Sequence, residues 1–395
     1  MEVLVKKIDP VVDETIETLN MKDGPSRRRL LEGAGLFSAT AAASALIAAC
    51  TSSGSSSAAP KATSSAAKAL AGNFPKTPSW EFWFVNHATT NAFFTPTQYG
   101  MADAAALLGL PAPKWTGSPS SDTGVMVGDI QSAVSGGAAG IAVAVINNTS
   151  FAGPISSAMS AGIPVLSYNA DGIYVNGVAS IGSNRLAYVG QALYLSGQAM
   201  GNQIKTLVPG GGDIAMFIAT PGTGNIQPRI DGAKSVLGSN YKVHEIATST
   251  DTATELSTEK AYLLGNRNTK GAFAVDGGSS ENLPAALKGA GVTIPAGVFD
   301  TEPQTLAGLQ DGTLSFTIYQ DPYLQGFLPV LYFYLYNISG AVLTPPDTDT
   351  GLTVLNKGNI TPFLKNSRYQ GGSSAELFIQ RPSGAISNPP ATTST

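Results

Sequence analysis

From Trp80 onward, short apolar and β-branched runs alternate with Ala-rich stretches. Glu81–Val85, Gly140–Ile146, Pro164–Tyr168, Asp213–Ile218, Lys242–Ile246, Gly271–Val275, Val298–Phe299 and Ser315–Tyr319 read as strands. Pro96–Leu108, Pro154–Ala161, Gln227–Leu237, Leu283–Ala290 and Tyr323–Ile338 read as helices between them. This alternation predicts an α/β fold of βαβ units with parallel sheets and right-handed crossovers. Ile141 to Ile146 is apolar at every position, as a strand covered on both faces requires. A weak internal echo suggests two similar halves. Ala158 to Pro164 leads into a strand ending at Asn169, and Leu287 to Pro295 leads into one ending at Asp300. In each case a helix stops at Gly and the next strand ends in a short polar side chain.

Composition narrows the function more than the fold. The chain has 395 residues, which at about 150 per domain allows two or three domains. Only 13% of residues are charged while 43% are apolar, which excludes a wholly disordered chain. Lys and Arg number 23 against 27 Asp and Glu, giving −4 and no basic region, so no nucleic-acid partner is expected. One Cys and two His leave neither a disulfide framework nor a zinc cluster, and no metal or cofactor is expected.

The first 49 residues read as an address to be left out of the fold. Ser26-Arg27-Arg28-Arg29-Leu30-Leu31 is a twin-arginine pattern, of the kind that directs export. It precedes an uncharged, weakly hydrophobic stretch from Gly33 to Ala49, shorter than the about 20 apolar residues of a spanning helix. Leu46-Ile47-Ala48-Ala49-Cys50 resembles the lipobox of bacterial lipoproteins, which implies lipidation at Cys50 and a lipid anchor. Residues 50–76, rich in Ser, Ala and Gly, read as a flexible tether, and 373–395 as a disordered tail. The expected location is the outer face of the cytoplasmic membrane.

Ligands of open parallel sheets bind beyond the carboxyl ends of the strands. The polar residues there are His87, Asn91, Asn147, Asn169, Asp171, Arg229, Asp276, Asp300 and Gln320, with Phe93 and Phe94 beside Asn91. Amides and carboxylates pair with vicinal hydroxyls while aromatic faces cover C–H faces, so the set suits a polyhydroxylated ligand. Each residue also has a plain structural reading. Phe93 and Phe94 suit the apolar start of a helix, Asn147 and Asn169 suit turns, and Asp300 suits a helix N-cap. Arg229 suits a surface ion pair, Asp276 a turn before two glycines, and His87 a satisfied strand-end histidine. His244, inside a predicted strand, has no functional case.

On these residues the chain resembles the type I periplasmic sugar-binding proteins of ABC importers, in their ribose-binding branch, from about Trp80 to Phe363. Asn91-Ala92-Phe93-Phe94 resembles the family's Asn-Pro-Phe-Phe signature, whose Asn and both Phe line the sugar site. Asn147 matches an Asn after the third strand, and Arg229 matches the binding Arg near the start of a second-half helix. Asp276 takes the place of a ligand Asn, and Asp300 and Gln320 match the family's Asp and Gln. Ribose binders carry Asp-Arg after the fourth strand where this chain has Asn169-Ala170, which removes a donor fork. Asp171 and His87 are the candidates to compensate. Ribose itself is therefore not carried over. Tetritols, pentitols, hexoses, inositols and furanoses of the autoinducer-2 type all remain open.

The resemblance implies two Rossmann-like lobes joined by a three-strand hinge near Ile181–Asn184, Gln320–Asp321 and Thr348–Leu352. Lobe one then comprises 77–182 and 321–349, and lobe two 183–320 and 350–372. Asn91, Phe93, Phe94, Asn147 and Asn169 belong to the first, Arg229, Asp276 and Asp300 to the second, and Gln320 to the hinge. The implied protein is a monomeric receptor that takes a small sugar or polyol to an ABC permease. No Gly-x-Ser-x-Gly elbow, Walker loop or His-Glu-x-x-His helix appears, so no enzyme is expected. A sensor that presents sugar to a receptor kinase or chemoreceptor, and a surface hydrolase, are the other classes.

Overall fold

The computed structural model describes residues 76–147, 149–172, 174, 175, 178, 179, 185–341, 345–365 and 368, all within the compact unit Phe74–Thr395. The twin-arginine segment, Cys50, the 181–184 hinge segment and the tail beyond 372 lie outside the described residues.

Two six-stranded sheets organise the chain. The first contains β1 (Phe82–Asn86), β2 (Lys114–Gly117), β3 (Gly140–Val145), β4 (Val165–Asp171), β7 (Tyr188–Gly190) and β13 (Asp347–Asp349). Its order is β13-β7-β4-β3-β1-β2, and every pairing is parallel. A small antiparallel hairpin, β5 (Tyr174–Val175) with β6 (Val178–Ala179), follows β4. The second large sheet contains β8 (Gly212–Ile218), β9 (Tyr241–Ala247), β10 (Gly271–Ala274), β11 (Ala296–Phe299), β12 (Phe316–Tyr319) and β14 (Thr353–Leu355). Its order is β14-β12-β11-β10-β8-β9, parallel except for the antiparallel β12–β14 edge.

Helices cover both faces of each sheet. Those of the first half are α1 (Thr95–Leu108), α2 (Thr123–Ser135) and α3 (Ala152–Ser160). In the second half lie α4 (Leu193–Leu207), α5 (Gln227–Val236), α6 (Thr252–Gly265), α7 (Gly277–Ala290) and α8 (Pro303–Asp311). The last, α9 (Pro322–Ser339), follows β12 but packs on the first sheet, where Phe333 meets Phe82 at 5.2 Å between ring centroids. Every residue of β1 and β3 is buried, the burial that a parallel strand between two helical layers needs. The echo between the halves is visible in the helix ends. α3 and α7 stop just before Gly162 (φ +82°) and Gly291 (φ +62°), a left-handed conformation that glycine adopts without steric cost.

The chain passes between the sheets three times. The first passage is at Gln191–Ala192, after β7, because β7 pairs with β4 (Ser167↔Tyr188) and with β13 (Asp347↔Tyr188). Residues 188–190, expected in the second lobe, therefore belong to the first sheet; three buried residues are too short a run to signal a strand by pattern. The second passage is at Gln320–Asp321, between β12 and α9, and the third at Thr350–Leu352, between β13 and β14.

Candidate functional site

The site is built at the carboxyl ends of strands from both sheets. After β1, Asn86 is fully buried, with its Nδ2 donating to the Tyr168 hydroxyl at 2.8 Å and its Oδ1 accepting from Ala88 N at 2.7 Å. That pair turns the chain outward at His87. Asn91 then caps a 3-10 turn (Ala92–Phe94), its Oδ1 accepting from Phe93 N at 2.9 Å. The turn sets Phe93 and Phe94 edge-to-face at 4.8 Å. Phe94 is buried between His87 and Trp115, while Phe93 stays half-exposed toward the cleft.

Asn169 reaches the cleft through an irregularity in β4. Val143↔Ser167 and Val145↔Asp171 are successive partners, so β4 carries two extra residues against β3. Asn169 takes up the bulge in a left-handed conformation (φ +61°), which asparagine tolerates better than most side chains. Its Nδ2 donates to Gln325 Oε1 at 3.1 Å, and its carbonyl accepts from the Tyr188 hydroxyl at 3.1 Å.

From the other half, Arg229 enters in the first turn of α5 and is 3% exposed, so it is no surface ion-pair partner. Its guanidinium lies 4.0 Å over the Phe299 ring. One terminal nitrogen donates to Val275 O at 2.6 Å and the other to Gln191 Oε1 at 3.0 Å, while buried Nε has no partner. Asp276 caps α7, with Oδ1 accepting from Ser279 N at 3.0 Å and Oδ2 from Ala219 N at 2.8 Å. Asp300 is left-handed (φ +70°) and is not a helix cap; the N-cap position of α8 is Glu302. Its Oδ1 accepts from Gln320 Nε2 at 2.7 Å. Gln325 Nε2 in turn donates to Gln320 Oε1 at 3.2 Å, so Asn169, Gln325, Gln320 and Asp300 form one chain of amide contacts between the two halves.

These groups converge on a cavity of about 370 Å³. Of the residues expected from sequence, His87, Asn91, Phe93, Phe94 and Asn169 line it from the first half, and Arg229, Asp276, Asp300 and Gln320 from the second. Asn147 and Asp171 do not line it. Asn147 Oδ1 is used in a turn, accepting from Thr149 N at 3.1 Å and Ser150 N at 2.8 Å. Asp171 pairs with Arg185, whose Nε donates to Oδ1 at 3.0 Å and whose Nη2 donates to Asp347 Oδ1 at 2.8 Å. Both expectations are corrected, since each side chain is consumed by local structure. His244 is paired with Asp213 at 2.7 Å, away from the cavity.

The cavity also holds acids that the sequence reading missed: Glu255, Glu281 and Glu302. Burial, with Asp276 and Asp251 nearby, pushes the Glu255 carboxyl up to about 8. Asp300 is raised to about 6 by burial against the opposing pull of Arg229. Glu302 is driven well above the ordinary carboxyl range by burial and Asp300. The one sequence signal was Gly277-Gly278. A Cβ at Gly278 would stand 2.3 Å from Glu255 Oε2, so glycine makes room for the acid. One guanidinium among several carboxyls, with amides and one aromatic face, offers donors and acceptors to a neutral, hydroxyl-rich guest. Among the described residues no group of three or more His, Cys, Asp or Glu is placed to hold a metal.

Residues 82–336 match the periplasmic binding protein domain family. The chain belongs to that family. It is accordingly a binding protein and not an enzyme, and its two α/β lobes are those of the type I members. The chain is 46% identical over 313 residues, 77% of its own length and 78% of the relative's, to the xylose/arabinose-binding protein XylF of Sulfolobus acidocaldarius. A solute-binding protein of an ABC transporter from Burkholderia graminis, solved with D-arabinose, superposes with a TM-score of 0.65 at 26% identity, covering 73% of this chain and 99% of that one. A carbohydrate transporter from Acidothermus cellulolyticus, solved with myo-inositol, shares the fold at 22% identity and a TM-score of 0.66, covering 75% of this chain and 100% of that one.

Proposed function

We propose that this periplasmic binding protein is an extracytoplasmic receptor for an aldopentose, capturing it between its lobes and handing it to an ABC importer. The general role, a sugar-binding protein of an importer, follows from the family and from the XylF relative. The aldopentose is the finer reading. It is supported by that relative and by one observation in the site: Arg229, Asp300 and Gln320 face Asn169 and Phe93 across a single cavity. A sugar ring contacting both sets stabilises the closed arrangement only because it touches both together; a guest gripped equally by open and closed forms would shift nothing. Phe93 covers a C–H face, and the amide chain from Asn169 to Asp300 fixes the acceptors before the sugar arrives.

The same proposal includes twin-arginine export of a monomer and its attachment through a lipid at Cys50. A tether keeps the receptor near its permease and raises the effective concentration. Among the described residues no helix is long and apolar enough to cross a membrane.

Calorimetric titration with D-xylose, L-arabinose, D-arabinose and myo-inositol tests the ligand. Saturable binding of a pentose that outcompetes myo-inositol is the expected result, and inositol binding without pentose binding overturns the reading. Radiolabelled palmitate incorporated into the wild-type chain and lost in Cys50→Ala tests the anchor; equal labelling of both would remove it.

A further inference from the structure

Beside the main cavity lies a second space of about 180 Å³, which shares Phe93, Asp300 and Glu302 with it. Tyr319 and Pro322 wall this space, and it reaches the surface at Pro303 and Gln304, both exposed. Glu302 stands where the two spaces meet. It occupies the N-cap position of α8, yet its side chain makes no capping hydrogen bond. Its carboxyl is nine-tenths buried, and Oε2 has no hydrogen-bond partner. Buried polar atoms are ordinarily paired, so an orphaned carboxyl oxygen in a cavity wall marks a place for a donor from outside the protein. Gly277 lines the main cavity beside this junction, where a Cβ would stand 3.2 Å from Glu302 Oε1 and 3.7 Å from Phe93 Cβ. Any larger residue there would narrow the gap between the acid and the ring.

From this geometry we propose that the sugar cleft continues into a side channel that receives a second sugar ring, so that the protein takes glycosides and short oligosaccharides of its pentose. This rests on the pentose reading above. A ring of Phe93 and Tyr319, two prolines, and the Glu302 and Gln304 side chains combine apolar faces with hydroxyl-pairing groups, the mixture a pyranose needs. A hydroxyl of the second ring donates to Glu302 Oε2, and the far end of the ligand leaves past Gln304 to solvent.

Calorimetric titration of the full chain with D-xylose and with xylobiose separates the two readings. The wild type is expected to bind both sugars. Gln304→Trp, plugging the mouth at an exposed position outside the main cavity, is expected to weaken xylobiose about tenfold or more and to leave D-xylose within about twofold. Gln304→Ala, which removes no wall, should keep xylobiose near the wild-type value. The channel is overturned if xylobiose fails to bind where D-xylose saturates, or if Gln304→Trp weakens both sugars together or neither. Xylobiose binding without D-xylose binding would overturn the monosaccharide reading and leave the channel standing. Binding of neither removes both.

Discussion

His87 Nε2 lies 3.1 Å from Asn225 Nδ2, joining the end of β1 to the loop after β8. Nearby, Gly224 N donates to Ile146 O at 2.8 Å. Burial pushes the imidazole down to about 4, so the ring is neutral above that pH and Nε2 accepts from the Asn225 amide. The two bonds span the lobes at the wall of the cavity, which His87 and Asn225 both line, and they favour the closed form. Asn225→Ala removes one bond of about 1 kcal/mol, so sugar affinity should fall roughly fivefold with little change in melting temperature. Titration calorimetry reads the first quantity and differential scanning fluorimetry the second. An unchanged affinity would strip this contact of any part in closure.

Asp300 carries the sharpest prediction about the ligand. Its left-handed backbone is tolerated by Asn but strained for Ala. Asp300→Asn therefore keeps the turn while replacing an acceptor oxygen by a donor amide. Sugar affinity should drop by about tenfold or more with the melting temperature nearly preserved, whereas Asp300→Ala should lose both. Asp300→Asn binding as tightly as wild type would take this residue out of the ligand's contacts.

The buried acids give the fold a distinctive response to pH. Glu255 is raised to about 8, Asp300 and Asp321 to about 6, and Glu259 and Glu302 well above the ordinary value, each chiefly by burial. A group that holds its proton more tightly when folded stabilises the fold fully below its unfolded value, near 4.5 for Glu. That stabilisation is lost as the pH climbs through the folded values. Asp311, held near 2 by Lys288 and Thr313, acts in the opposite sense at more acid pH, and buried His87, pushed down to about 4 from 6.5, opposes the trend between those two values but is outnumbered by the raised acids. The melting temperature should therefore peak near about pH 4 to 5 and fall by about 5 °C or more on approaching pH 8. Glu259→Gln, which replaces a fully buried acid having neither oxygen paired, should flatten the fall. A melting temperature that rises from pH 5 to 8 contradicts the account.

Elements with uninterrupted apolar runs were legible in the chain, and β3 is the plainest. α2 was not, because two glycines and three valines lower its helix propensity. What holds it is Asp122, capping Gly124 N at 2.8 Å, together with Met126, Ile130 and Ala133 buried along one face. At the site, strand-end position foretold Asn169 and Asp300 but not the left-handed backbone that aims them. Glu255 and Glu302 were hidden for a different reason. Each lies in or beside the first turn of a helix, where an acid reads as a partner of the helix dipole. Only the fold brings them, from positions far apart in sequence, around one cavity.

Asp171 separates structural acids from ligand-facing ones. Its partner Arg185 has a side chain 5% exposed and binds both Asp171 and Asp347, tying β4 to β13. Asp171→Ala leaves that guanidinium with Asp347 and the Pro346 carbonyl alone. Loss of one partner from a buried pair costs about 3 kcal/mol, less where a second carboxylate remains, so about 2 kcal/mol is expected here. That corresponds to a fall of roughly 4–8 °C in melting temperature. Sugar affinity measured below the new transition should stay within about twofold, because Asp171 does not line the cavity. Asn169→Ala is the matched contrast: it removes a cavity-lining amide and should weaken binding more than it lowers the melting temperature. If Asp171→Ala lost the sugar while keeping its stability, the division between these two neighbours on β4 would have to be reversed.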